Sequence, residues 1–349
     1  MIRADPDLIS ESVVDPGEDV GAPLPKTAKA KRPRAKAPET QAFPPPAPVP
    51  AWARASGRVG EGDPLFAAGA GLALLDAHLR ADPPAAGALR ARLALQSAAA
   101  SAKILRLNAD EAALRDLRFA VGDPLGPAAN LLSLWRDCAG RPPSLDPGRI
   151  VESAARLDLA LPDPMRLSSN LKTCVGKGDP VSAASKTAAL AFSACPDAPA
   201  AEAEILALWA FDLAIATRLR WPRPVPLIAT KLLDPSLRSD GGGRPKPGDP
   251  AWPRTAAGAI ALAAVSAFDL AAGLSRRADI LLVVAPKLRA KPAAKVVDLL
   301  LAEDCVSPAE AARQAPMTDR AARRLFDRLL ALGAVRELTG RPTFRLYGL

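Results

Sequence analysis

The chain has 349 residues, 49% of them hydrophobic, a share that can bury sizeable cores and excludes wholesale disorder. Aromatic residues make up only 4%, with Tyr347 the sole tyrosine, which argues against an all-β sandwich of aromatic and β-branched strands. Lys and Arg number 46 against 37 Asp and Glu, a net charge of +9 that suits an anionic partner such as nucleic acid or a membrane surface, or serves solubility alone.

Residues 1 to about 50 read as a disordered tail. Asp5, Asp7, Glu11, Asp15, Glu18 and Asp19 come first, then a basic run of Lys26, Lys29, Lys31, Arg32, Arg34 and Lys36, then FPPPAPVP from Phe43. Few of these residues can enter a core, and the prolines prefer polyproline II. The basic run is a solvated tail or a DNA-binding arm; the near-neutral balance of the whole tail favours the former. MIRADPDLIS has acidic residues and no apolar stretch, so no cleavable signal is expected at the start. Cys138, Cys174, Cys195 and Cys305 form no CxxC pair, so no zinc ribbon or redox couple is signalled and a reducing cytoplasm is the expected compartment.

From residue 57 to about 234 one device recurs. Asp-Pro stands at 63–64, 82–83, 123–124, 146–147, 163–164, 179–180 and 234–235. An aspartate accepts the orphan amides of a helix start, and proline loses nothing at the first helical position. Several of these pairs should therefore open helices. Behind them the spacing is helical: Leu65, Gly69, Leu72 and Leu75; Leu89, Leu93, Ser97, Ala100 and Ile104; Leu131, Leu134, Trp135 and Cys138. Asn108 and Glu111 have capping-box spacing before Leu114 and Leu117. The longest helix is expected near Ala200–Arg220, stopped by Trp221-Pro222. Residues 237–254 have the glycine and proline density of a linker or a long surface loop, and one or two helices should follow over 256–285. The alanine-rich stretch 256–274 carries Asp269 and reads as a buried helix rather than a membrane span.

Residues that carry chemistry are scarce. His78, the only histidine, sits on a helix beside Asp76 and Arg80 with no nucleophile pattern near it. HExxH, GxSxG and a complete nucleotide-binding glycine loop are all missing, and Gly176-Lys177-Gly178 reads as a turn. Asp110, Glu111, Arg115 and Asp116 give charge pairs at helical spacing, as on a solvated face. No catalytic residue, metal ligand or cofactor is expected on these grounds.

The last 58 residues differ. Lys295–Leu301 predicts a short apolar helix, and Ser307-Pro308-Ala309-Glu310 predicts a capped one ending near Gln314. After Pro316, Thr318 caps a longer helix whose apolar side is Ala322, Leu325, Phe326, Leu329 and Leu332. Arg320, Arg323, Arg324 and Arg328 fall on its other side, and Gly333 ends it. Residues 334–338 and 343–347 read as strands joined by Thr339-Gly340-Arg341-Pro342. This is the element order of a winged helix-turn-helix, whose second helix enters the major groove. Guanidinium forks suit phosphates and guanine edges, and Arg341 at the hairpin tip suits the backbone or minor groove. Asp327 offsets part of this charge, and winged helices also bind proteins.

The strings APKLRAK (285–291), RRLFDRLLALGAVRELTGRPTFRLYGL (323–349), GAGLALLDAHLRADPPAAGALRARLAL (69–95), DEAALRD (110–116) and WPRPVPL (221–227) resemble an uncharacterised bacterial family. That family is a domain of unknown function found mainly in alphaproteobacteria, often plasmid-borne. The resemblance spans about residue 57 to the end and implies no activity. The ending ELTGRPTFRLYGL is also similar to that of another bacterial helix-turn-helix family and of the winged helix attached to some Fic-domain proteins; the Fic catalytic motif is missing.

The sequence thus predicts a mainly α protein: a tail at 1–50, an alanine-rich multi-helix body at 51–286 and a small C-terminal winged helix-turn-helix with a β-hairpin at 287–349. The expected partner is double-stranded DNA, in a regulatory or plasmid-maintenance role. Arg320, Arg323 and Arg324 would meet the major groove, with Arg328 and Arg341 on phosphates. The body would self-associate or bind a protein, with no membrane involved. The alternatives are a protein-interaction scaffold whose winged helix touches no DNA and a helical enzyme with an unrecognised site.

Overall fold

A computed structural model describes residues 49–50, 54, 63–120, 126–239, 242–288, 292–341 and 344–349. Residues 1–48 of the tail, its basic run included, lie outside the described residues, whereas Val49 is buried in a small apolar cluster with Phe268. Residues 42–349 form one compact unit. Among the described residues the protein is mainly α, with thirteen α-helices and two very short strands.

The Asp-Pro device builds much of the body. Asp63, Asp163 and Asp179 accept backbone amides at the starts of α1 (Pro64–Arg80), α6 (Pro164–Val175) and α7 (Pro180–Ser193). Asp234 does the same for a 3-10 turn over Pro235–Leu237. Pro147 opens α5 (Pro147–Ala155), but Asp146 turns its carboxylate to Lys172 and Ser144 instead. Asp82 opens no helix: it sits at φ 47°, and α2 (Ala86–Ile104) begins four residues later. The 123–124 pair lies outside the described residues, ahead of α4 (Pro127–Gly140).

Two local expectations are corrected. α3 (Glu111–Arg118) is capped by Asp110, which accepts the Ala113 amide at 2.8 Å, so Asn108 is not the cap. In α1 the buried stripe is Ala68, Gly71, Leu72, Leu75 and Leu79, while Leu65 is exposed. The stripe turns to face the long helix behind it, and Gly71 lets the two approach: a Cβ there would lie 3.0 Å from Ala264 Cβ.

The core is built around two apolar helices. In α8 (Ala200–Leu219) every residue from Ala203 to Ala216 is buried, so it runs through the interior rather than along it. α10 (Trp252–Val284) is a single 33-residue helix where one or two were expected, about 50 Å long at 1.5 Å per residue. It packs on α1, α2, α7 and the short α9 (Ile228–Lys231). Alanine and glycine dominate its buried side, which allows several neighbours at close range. Among the described residues α10 is the one helix long and apolar enough to cross a membrane, and 67% of its apolar window is buried inside the protein. The 237–254 stretch belongs to the same compact unit: Leu237 and Trp252 are buried, and Arg244 pairs with buried Glu204 at 2.5 Å.

Several polar groups inside this core are partnered by the chain itself, although among the described residues the buried Ser97 and Ser185 hydroxyls have no partner. Trp135 Nε1 donates to Ser101 Oγ at 2.9 Å, and Trp252 Nε1 to the Ser185 carbonyl at 3.2 Å. Asp212, fully buried on α8, accepts the amides of Leu227 and Ile228 and thereby anchors the chain that follows Trp221-Pro222. His78 is half-buried with its ring edge-on to Phe268, and that burial lowers its pKa. Its neighbour Asp76 bonds Arg80 and Trp221 Nε1, not the imidazole.

Candidate nucleic-acid interface

The C-terminal segment has three helices, α11 (Ala293–Ala302), α12 (Pro308–Gln314) and α13 (Asp319–Ala331), followed by β1 (Arg336–Glu337) and β2 (Tyr347–Gly348). Local chemistry sets each boundary. Ser307 Oγ accepts the Glu310 amide at 3.0 Å and Thr318 Oγ1 accepts the Ala321 amide at 3.3 Å, while Gly333 takes φ 66° just past the end of α13. β1 and β2 pair antiparallel, with Glu337 opposite Tyr347, and Leu338 N donates to the Leu346 carbonyl. Val306, between α11 and α12, bridges to the other edge of Tyr347 through two backbone bonds of 2.8 and 3.0 Å. The strands are shorter than the sequence suggests, but the pairing crosses three segments.

Ala322, Phe326 and Leu329 bury the inner side of α13, and Phe326 stacks on Tyr347 with ring centroids 4.6 Å apart. Leu332 was expected on this side and is exposed instead, because the helix has already passed its last turn. The outer side carries Arg320, Arg323, Arg324 and Arg328, all exposed and in no ion pair among the described residues. They are not equivalent. Arg320, Arg324 and Arg328 lie four residues apart and form one row. Arg323 instead borders a cleft of about 320 Å³ shared with Asp319, Asp327, Phe344 and Arg345. Arg328 also donates to the Lys287 carbonyl at 3.3 Å. Arg341 is not brought into this row: its guanidinium pairs with Asp116 of α3 at 2.8 Å.

That contact belongs to a larger connection that sequence reading misses. Asp304, 4% exposed, receives Arg92 of α2 and, at 2.6 Å, Arg115 of α3. Arg118 reaches Glu310 at 2.8 Å, Glu303 at 3.2 Å and the Cys305 carbonyl at 2.6 Å, and Arg136 of α4 reaches Glu303 at 3.0 Å. Four arginines of the body thus hold three carboxylates of the C-terminal segment. Arg115 forms the expected one-turn pair with Glu111, at 3.3 Å, but its Nε turns inward to Asp304, so it is an anchor and not part of a solvated face. Glu310 is drawn to Arg118 and leaves its capping box half made. Burial pushes Asp304 up, but Arg92 and Arg115 outweigh it and hold the carboxyl below its ordinary value. Burial first, then Asp304, drives the neighbouring Cys305 thiol up to about 12, so it stays protonated and unreactive. The sequence signal was present only as Glu303, Asp304 and Glu310 without cations beside them; their partners lie about 170 to 210 residues earlier.

Among the described residues no group of three or more His, Cys, Asp or Glu side chains could hold a metal ion. Together the elements define a mainly helical protein with an exposed arginine row on a C-terminal helix that makes no ion pair among the described residues. The chain belongs to the family described as "Protein of unknown function (DUF1403)", which it matches over residues 38–349. No curated protein matches it.

Proposed function

We propose that this is a non-enzymatic, cytoplasmic DNA-binding protein whose residues 287–349 act as a winged helix-turn-helix. The carrying observation is the outer row of α13: Arg320, Arg324 and Arg328, exposed, one turn apart and in no ion pair among the described residues, with Arg328 giving one hydrogen bond to the Lys287 carbonyl. A duplex supplies the anions this row lacks, and guanidinium forks bind phosphates and guanine edges bidentately. The order α11, Val306, α12, α13, β1, β2, with Tyr347 between Val306 and Glu337, is that of a winged helix and supports placing α13 in the major groove. Arg323, flanked by Asp319 and Asp327, has less charge to offer and contributes less than the row. Arg341 reaches phosphate only after leaving Asp116. A regulatory or plasmid-maintenance role is the reading that fits the alphaproteobacterial, plasmid-borne family the sequence resembles.

The test is charge reversal in the full chain. Arg320→Glu with Arg324→Glu should abolish binding to labelled duplex at a salt concentration where the parent binds, with an unchanged melting temperature. Retained binding would remove α13 as the reader. The scaffold alternative draws on one specific observation, the Arg341–Asp116 pair, which ties the hairpin tip to the body. It predicts no duplex binding at low salt.

A further inference from the structure

A second set of arginines stands apart from the carboxylates of the clamp. Arg276 and Arg277 lie on α10 near its C-terminal end, and Arg336 lies on β1. Arg276 and Arg336 are exposed and Arg277 is half-buried; among the described residues none of the three makes an ion pair. This contrasts with Arg92, Arg115, Arg118, Arg136 and Arg244, each of which has a carboxylate.

The neighbourhood can be followed residue by residue. Arg336 pairs across the strands with Gly348. Gly348 lies so close to Asp304 that a Cβ there would sit 2.5 Å from the Asp304 carbonyl oxygen. The Asp304 carboxylate pairs with Arg92 and Arg115 and, among the described residues, with neither Arg277 nor Arg336. Burial lowers the pKa of Arg277, and Arg336, Arg92 and Arg276 lower it further, as like charges do when they crowd one another.

We propose that Arg276, Arg277 and Arg336 form a second site for duplex phosphates, carried mainly by the helical body. This rests on the DNA-binding reading and extends it. α10 and the 3-10 turn Ala285–Lys287 lead from Arg277 to Lys287, whose carbonyl accepts from Arg328 at the end of the α13 row. Seven α-helical and three 3-10 steps advance about 16 Å. Phosphates on one strand advance about 3.4 Å each along the duplex axis, so the two ends of this stretch match phosphates about five nucleotides apart. Three forked cations that make no ion pair among the described residues, even with Asp279 one turn from Arg276, suit backbone contact, which positions a duplex without reading its sequence.

The experiment uses the full chain, labelled duplex and a salt series, with the parent, Arg276→Gln/Arg277→Gln, Arg336→Gln and Arg320→Glu/Arg324→Glu. The expected result for the double glutamine variant is a salt slope shallower by about 2, at about 0.9 per lost phosphate contact. Its relative affinity for different sequences and its melting temperature should be unchanged. Arg336→Gln should take about 1 from the slope. An unchanged slope in these variants, while Arg320→Glu/Arg324→Glu abolishes binding, overturns the second site and leaves the α13 reading standing. Binding lost with the glutamine variants but kept with Arg320→Glu/Arg324→Glu supports the second site and overturns α13 as reader. No binding by the parent at low salt overturns both.

Discussion

Asp212 and Asp304 are both buried carboxylates, and their surroundings drive them in opposite directions. Asp212 has two backbone amides and no cation, so burial wins and its pKa rises to about 8. An unfolded chain releases that proton near 3.8, so between these values the folded state holds one proton more. Stability from this residue is then full at low pH and falls as pH rises through the window, on the order of 1 kcal/mol per pH unit. Asp212→Asn loses the acceptor facing one amide, a constant cost, but it removes the titration. Urea unfolding of both proteins from pH 5 to 8 should show the variant gaining on the parent as pH rises; a constant difference would contradict this. Asp304 has the reverse sign. Its depressed pKa means a contribution that is full above the ordinary carboxylate range and is lost as pH falls through its folded value. Asp304→Asn leaves Arg92 buried without its anion and Arg115 with Glu111 alone, and should cost about 3–5 kcal/mol in urea unfolding at neutral pH. A cost under 1 kcal/mol would mean that water and Glu111, and not Asp304, satisfy those guanidiniums.

At the level of helices and strands, what was legible in the sequence was whatever is set within one turn. Asp63, Asp163, Asp179, Ser307 and Thr318 cap helices because a cap needs only the next two or three amides. Asn108 misled because Asp110 stands two residues nearer the helix and offers a better acceptor at the same task. Which way a helix turns its stripe depends on a partner far away, so Leu65 and Leu332 were placed inward and lie outward. The arginine face of α13 was legible from periodicity alone, whereas the clamp of Arg92, Arg115, Arg118 and Arg136 was not, since its acids lie in a distant part of the chain. The clamp also depends on close helix approach. A Cβ on Gly87 in α2 would lie 2.7 Å from the Ala302 Cα at the end of α11. Gly87→Ala should therefore lower stability by about 1–3 kcal/mol through overpacking, despite alanine's better helix propensity. Gly69→Ala, in open space on α1, should leave the melting temperature equal or raise it. A neutral Gly87→Ala would show that α11 can slide on α2.

For the molecule as a whole, residues 42–349 behave as one unit because ion pairs and apolar packing join the C-terminal segment to α2, α3 and α4. Removing that segment would strip the anions from Arg92, Arg118 and Arg136 and leave Arg115 with Glu111 alone, so a truncated chain is a poor test of what the segment does. Substitution on the outer surface of α13 leaves the clamp intact and is the cleaner approach. The central claim is that α13 reads duplex DNA. Its most direct measurement is affinity of the full chain for labelled duplex across a salt series, with Arg320→Glu/Arg324→Glu alongside. The account predicts parent binding that weakens with salt at a slope of about −4 to −6, as for roughly 5–7 phosphate contacts, and loss of that binding in the variant. Parent and variant binding alike, or a parent that does not bind at low salt, would contradict it.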